Sequence, residues 1–177
     1  MTRKYLPPLT PKPLDLTITL LLPSNLPGQP MSENNTLEGT WTLLSVELRL
    51  EDGTIKHPWG SEVAGQVIYG SDGYMAGSFM KKGRPAFEAD DVMAGKADEF
   101  EAAMKSYVGY AGAYSIEDNR VVHHASVSLF PNWTNTDIER FFTIDGNTLT
   151  LSTPPLVFGG IQGSAALVWK KMASRHV

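Results

Sequence analysis

The chain has 177 residues, a net charge of −4 and no cysteine, with 42% hydrophobic and 19% charged residues. This composition is typical of one soluble globular domain, and no apolar run approaches the ~20 residues that span a bilayer, so no membrane partner is expected. The missing basic stripe argues against a nucleic-acid partner, and the missing cysteine excludes disulfides and thiolate sites and favours a cytoplasmic location.

The first 36 residues are predicted to be a disordered, proline-rich tail. Seven of the twelve prolines lie between positions 7 and 30, and proline at this density blocks both helix and central strand. Asp15 interrupts the apolar segment 14–22, which argues against a signal peptide. A single folded domain is therefore expected over residues 37–173.

Beyond the tail, short strands alternate with turns. Asp-Gly pairs at 52–53, 72–73 and 145–146 indicate type I′ hairpin turns, in which both central residues have positive φ, and 117–119 is a weaker signal. Even-spaced strands with local connections are typical of a sandwich or an up-and-down barrel. Eight strands are predicted, over 40–50, 63–70, 74–80, 107–116, 120–130, 136–144, 147–153 and 164–171.

One helix is predicted over 95–107. Phe100, Ala103, Met104 and Tyr107 recur at helical spacing, and this stripe is expected to lie against a sheet or to close a barrel end. The preceding segment 81–94 is predicted to be a long loop, of the kind that often covers the mouth of a barrel.

The strand over 136–144 carries a charged residue on its apolar face. Alternation puts Arg140 on the same side as Ile138, Phe142 and Ile144. Burying an unpaired guanidinium among apolar side chains costs free energy, so Arg140 is expected to contact a carboxylate, an aromatic face or a bound ligand.

Several motifs together resemble the lipocalin-like domain family, over about residues 37 to 172. The motifs are the G-x-W pattern at 39–41, HPWG at 57–60, YVGYAGAY at 107–114, VVHHASVSLFPNW at 121–133, IERFF at 138–142, LTLSTPP at 149–155 and LVWKK at 167–171. The resemblance implies an eight-stranded antiparallel barrel with an internal cavity. It also implies that Arg140 either stacks over Trp41 at the barrel base or reaches a ligand.

The strand over 107–116 points two tyrosines to one face. Tyr110 and Tyr114 are therefore expected inside the barrel, either as core residues whose hydroxyls bond to backbone carbonyls or as donors to a ligand. On the next strand only one of two adjacent histidines can face inward. His123 lies on the more apolar face and is the candidate general acid or base, but a bulge would bring in His124 with Ser126 and Ser128.

Aromatic residues near the predicted barrel mouth are candidates for contact with a ligand. His57 and Trp59 follow the first hairpin, and the alternative is a turn whose tryptophan covers the barrel end. Metal-ligand spacings and glycine-rich phosphate loops are missing, so neither a metal nor a cofactor is expected. The candidate ligand-binding residues are His57, Trp59, Tyr69, His124, Phe130, Trp133 and Phe142.

The predicted function is the binding of a small, largely apolar, oxygenated molecule inside the barrel. The resemblance implies either cofactor-free isomerisation, dehydration or cyclisation of a polyketide- or terpenoid-like substrate, or a carrier without catalysis. In the catalytic hypothesis Arg140 and a tyrosine polarise a carbonyl while His123 moves a proton. The sequence leaves a homodimer open.

Overall fold

The computed structural model describes residues 37–173, and the tail predicted for residues 1–36 lies outside this range. Within it, no helix is both long and apolar enough to cross a bilayer. One helix, Ala97–Lys105 (α1), and a 3-10 turn at Pro131–Trp133 accompany the strands. The strands are Gly39–Arg49 (β1), Ile55–Lys56 (β2), Val63–Tyr69 (β3), Tyr74–Lys81 (β4), Tyr107–Glu117 (β5), Arg120–Ser128 (β6), Thr136–Asp145 (β7), Thr148–Ser152 (β8), Leu156–Phe158 (β9) and Ile161–Lys171 (β10).

Eight of these strands form a closed antiparallel barrel, which confirms the predicted architecture. Their order is β1-β3-β4-β5-β6-β7-β8-β10, so each strand pairs with the next barrel strand along the chain. The barrel closes where β10 pairs with β1, from Trp41 opposite Lys171 to Arg49 opposite Ser164. The strands that were not predicted, β2 and β9, are two and three residues long, too short for a visible alternation.

The hairpin turns occur where they were predicted, but they are not of the predicted type. A type I′ turn needs two successive residues with positive φ. Among the described residues, each of these turns has only one, and these are Gly53, Gly73, Asp118 and Gly146. In the first two turns the glycine ends the turn, because its amide donates to the carbonyl of Leu50 or Gly70.

The core lies inside the barrel and continues to its base, where β1 begins. Trp41 is fully buried, and its indole Nε1 donates to the carbonyl of Leu37 at 2.7 Å. The Lys171 ammonium lies 5.1 Å from the centre of the Trp41 ring. The other buried residues of this cluster are Leu43, Val46, Trp59, Val63, Val67, Tyr69, Met75, Val121, Leu149, Leu151, Leu167 and Trp169.

The helix is shorter than predicted and does not pack into the barrel. The Glu99 carboxylate accepts hydrogen bonds from the backbone amides of Lys96 and Glu88, which ties the start of α1 to the long loop before it. No residue of α1 is buried, and the Phe100 ring packs edge-on against Phe87 of that loop at 5.2 Å. The stripe predicted to lie against a sheet or to close a barrel end is therefore not buried, and its last member, Tyr107, belongs to β5.

Candidate functional site

A group of titratable side chains lies on the inner face of the barrel. Alternation puts Tyr69, Tyr110, His123 and Arg140 on this face, because their neighbours in sequence point outward. Tyr69 and His123 are buried, whereas Tyr110 and Arg140 keep part of their surface accessible. Two of the four groups, Tyr110 and Arg140, can therefore be reached by solvent.

His123 is held between two tyrosines. The Tyr69 hydroxyl lies 2.8 Å from His123 Nε2, and the Tyr110 hydroxyl lies 3.0 Å from His123 Nδ1. The three side chains come from β3, β5 and β6, and His123 is fully buried between them. Both ring nitrogens are therefore occupied by phenol groups.

This environment keeps His123 neutral. Burial, and then the positive charges of Arg140 and His124, lower the pKa of His123 from 6.5 to about 3. Burial likewise raises the pKa of the Tyr69 phenol well above its usual range. Burial thus favours the uncharged form of both His123 and Tyr69, and Tyr110 completes a hydrogen-bonded chain of three side chains.

Burial decides which group donates in each of these two hydrogen bonds. A neutral imidazole has one donor and one acceptor nitrogen. Tyr69 is only 1% exposed, and His123 Nε2 is the one acceptor within hydrogen-bond distance of its hydroxyl among residues 37–173. Since an unsatisfied buried donor is costly, Tyr69 donates to Nε2 and His123 Nδ1–H donates to Tyr110. The Tyr110 proton is then free to point into the lumen.

Arg140 brings a positive charge to the same face. Its Nη1 donates to the Glu139 backbone carbonyl at 2.7 Å. Within residues 37–173, no carboxylate lies within 4.0 Å of its guanidinium, and no aromatic ring lies beneath it. Its positive charge acts on the pKa of both His123 and Tyr69. Arg140 was expected to contact a carboxylate, an aromatic face or a bound ligand. Residues 37–173 supply neither of the first two, so a bound ligand remains the candidate partner.

Two alternatives for inner-face residues are decided by contacts. The Trp41 ring is covered by Lys171 and not by Arg140, so the stacking role that the resemblance offered to Arg140 belongs to another residue. The Tyr114 hydroxyl donates to the Gly70 carbonyl at 3.0 Å, and its ring packs edge-on against Tyr69. The Tyr114 hydroxyl thus donates its proton at the barrel base. The Tyr110 hydroxyl, which accepts from His123, still has its own proton to donate.

Trp59 and Trp133 occupy different places among the loops. Trp59 is 8% exposed and packs against Phe79 and Phe158, with ring centroids 5.7 and 5.9 Å away. Trp133 packs edge-on against Tyr110 at 5.6 Å. Trp133 is therefore next to the His123 group, and Trp59 packs into the aromatic part of the core.

The other candidates are spread over the surface and the inner wall. Phe130 is 42% exposed and contacts Trp133 at 5.6 Å, which leaves it at the outer edge of the site. Phe142 is partly buried on the inner face beside Arg140. His57 is exposed, and its Nδ1 lies 3.3 Å from the Val46 carbonyl oxygen, so it does not join the inner group.

A bulge lies in the strand of the histidines, but it does not exchange them. Ala111 pairs with Val127 and Gly112 pairs with Ala125, which leaves Ser126 as the extra residue. The irregularity comes after both histidines in the chain, so His123 stays inside. Beyond the bulge Ser128 pairs with Tyr110.

His124 faces outward and belongs to a surface network that sequence reasoning missed. Its Nδ1 lies 2.7 Å from Asp137 Oδ1, and its Nε2 lies 3.1 Å from Ser115 Oγ. This order resembles a catalytic triad, but the three residues lie on the outer face of paired strands, whose backbone amides are used by the ladder. Without donors for an oxyanion, the network has no means of stabilising an acyl-transfer intermediate.

One inner-face donor is unpartnered. Trp169 is 2% exposed, packs edge-on against Phe79 at 6.1 Å, and its Nε1 has no hydrogen-bond acceptor within residues 37–173. A buried donor without an acceptor is rare in folded proteins.

Outside the barrel, two shallow grooves have volumes of about 350 and 380 Å³, and residues such as Gln66 and Ser78 line them both.

The fold and the inner face define a class of protein, a small closed antiparallel barrel whose interior can hold one ligand. The family model of the lipocalin-like domain matches residues 38–172, and the chain belongs to this family. One similar protein is the 4'-hydroxy-3'-methoxypropiophenone carrier protein ppsC of Aspergillus oryzae. It is 35% identical over 107 residues, which cover 55% of this chain and 96% of the relative.

Proposed function

We propose that this barrel is a carrier that binds a small, largely apolar, oxygenated molecule in its lumen, with a role in secondary metabolism and a cytoplasmic location. One observation carries the proposal. The Arg140 guanidinium faces the lumen, and within residues 37–173 it has no carboxylate within 4.0 Å. A ligand oxygen beside Arg140 and the Tyr110 hydroxyl would supply the missing acceptor.

A phenolic aryl ketone matches this site in polarity. The A. oryzae relative is named as the carrier of such a compound. Here the rings of Tyr110, Trp133 and Phe142 offer an apolar wall beside the polar group. The unpartnered Trp169 Nε1 is a further donor on the inner face, and it suits a ligand with more than one acceptor oxygen.

Catalysis by His123 is the weaker alternative. A general base works best with a pKa near the working pH, whereas burial holds the pKa of His123 at about 3. Both nitrogens are also engaged by phenols. We therefore propose that His123 orients Tyr110, and that isomerisation, dehydration or cyclisation is not the main activity.

Binding is tested by titrating the protein with 4'-hydroxy-3'-methoxypropiophenone and following its tryptophan fluorescence. Saturable quenching is expected, because Trp133 contacts Tyr110. Arg140→Gln removes the charge-assisted contact and should raise the Kd about tenfold or more.

Arg120→Gln is the matched control. Arg120 lies on the same sheet but faces outward, where it pairs with Glu117 and Glu139. Its replacement should leave the Kd unchanged within about a factor of two, because exposed ion pairs contribute little. Quenching that does not saturate, or equal affinity in the wild type and Arg140→Gln, would contradict the proposal.

A further inference from the structure

We infer that the lumen binds its ligand as an anion: the phenol gives its proton to the solvent on binding, and the phenolate oxygen lies against Arg140 and Tyr110. No bond other than the phenol O–H is broken, and one proton is released per ligand bound. This inference rests on the proposed function and deepens it, because it specifies the ionisation state that the site selects.

The first argument is that the two side chains proposed to meet the ligand oxygen, Arg140 and Tyr110, both present donors to it. Arg140 has no acceptor atom on its side chain. His123 Nδ1–H is directed to the Tyr110 oxygen, so the Tyr110 hydroxyl approaches a ligand with its proton. An oxygen without a hydrogen can accept from both groups, whereas a protonated phenol would direct its own hydrogen toward one of these two donors.

The second argument concerns charge. The acidic residues of the barrel strands, Glu47, Glu117, Asp137, Glu139 and Asp145, all alternate with inward-facing residues and so point outward. The titratable groups that face inward with Arg140 are Tyr69 from β3, Tyr110 and Tyr114 from β5, and His123 from β6. Burial raises the pKa of Tyr69 and Tyr114 and lowers the pKa of His123, so that burial favours the uncharged form of each.

The remaining inward-directed charges lie at the two ends of the barrel. Lys81 is exposed at the end of β4, and Lys171 covers Trp41 at the base. Both are positive, while the carboxylates of Glu38 and Asp72 act on Tyr114 at the base. Within residues 37–173, Arg140 is the charged side chain of the barrel strands that faces inward between these ends, and a positive charge near an acid favours its ionised form.

The ionisation state can be read from the absorbance of the bound ligand. The probe is 4'-hydroxy-3'-methoxypropiophenone, at a pH one unit below its own pKa in the same buffer. The wild-type complex should show the phenolate band, and a pH titration of the complex should place the bound phenol's pKa lower by about one unit or more. Calorimetry in two buffers of different ionisation enthalpy should show the released proton.

Variants and an analogue separate this inference from the proposed function. Arg140→Gln, at a protein concentration that saturates the ligand, should return the neutral spectrum, whereas Arg120→Gln should keep the phenolate band. The 4'-O-methyl analogue cannot ionise, so its affinity should be lower and independent of pH, while the affinity of the phenol rises with pH up to its solution pKa.

Each outcome has one meaning. Saturable binding with a neutral spectrum, or a phenolate band that persists in Arg140→Gln, overturns the inference and leaves the carrier function standing. The absence of saturable binding overturns both. Circular dichroism of each variant, compared with the wild type, shows that the barrel has formed before its spectrum is interpreted.

Discussion

At the scale of single residues, the burial of His123 links stability to pH. Burial lowers the pKa of His123 from 6.5 to about 3, so between these values the unfolded chain binds a proton that the folded chain does not. Stability is therefore full above pH 6.5 and is lost as the pH falls. Urea denaturation should give a free energy of unfolding about 2 kcal/mol lower at about pH 5 than at about pH 7.5.

A histidine on the outer face supplies the control for this prediction. His123→Gln should reduce the loss between the two pH values, because glutamine does not titrate. His124→Gln should keep most of the wild-type loss, because burial is the largest cause of the lowered pKa of His123 and the side chain of His124 is 43% exposed. If wild type and His123→Gln lose the same free energy on acidification, the link between His123 and acid stability is wrong.

The sequence gives the face of each residue but not its partners. Alternation along β6 is a local property, and it separates His123 from His124. The contact between Tyr69 and His123 joins β3 to β6 across the barrel, and no local pattern contains it. The absence of a carboxylate near Arg140 is likewise a three-dimensional fact, because Glu139 is its neighbour in sequence and points away.

At the scale of elements, the bulge between β5 and β6 requires a glycine. A Cβ added at Gly112 would lie 1.9 Å from the His124 carbonyl oxygen, so the two strands would have to separate. Gly112→Ala should therefore lower the free energy of unfolding by about 2 kcal/mol or more, measured by urea denaturation.

Gly77 on the adjacent strand is the matched control. A Cβ there would meet Val67 at 3.5 Å, which is ordinary contact, so Gly77→Ala should change stability by less than about 1 kcal/mol. Equal losses in the two variants would mean that the bulge does not depend on the close approach at Gly112.

Elements were predictable where a local signal fixed them. The eight barrel strands have alternating patterns and turn residues between them. The helix was predicted less well than the strands, for two reasons. Its start is set by the Glu99 contacts with Lys96 and Glu88, and Phe100 of its apolar stripe packs against Phe87 of the preceding loop. An apolar stripe on a helix indicates that another apolar surface covers it, but the sequence does not identify that surface.

At the scale of the whole molecule, closure makes the barrel a single cooperative unit. Each of the eight barrel strands has a neighbour on both sides, because β10 pairs with β1. Circular dichroism and tryptophan fluorescence should therefore report one unfolding transition with the same midpoint.

A variant at the seam, where β10 pairs with β1 and closes the barrel, tests this cooperativity. Leu167 is 7% exposed and pairs with Val46 of β1, so Leu167→Ala should lower stability by about 2–4 kcal/mol. Both signals should shift together. A seam that opens first, seen as two separate midpoints, would contradict the prediction. The seam joins the two ends of the domain, and it was predictable only through the resemblance of the motifs to a known barrel family.

The hydrogen bond at the base of β1 decides how far the domain can be trimmed. A shortened chain starting at Gly39 would contain every described strand, but it would lack the Leu37 carbonyl that accepts from the buried Trp41 indole. The smallest autonomous folding unit is therefore wider than its secondary structure. Its amino-terminal limit is marked by an acceptor oxygen that belongs to no strand.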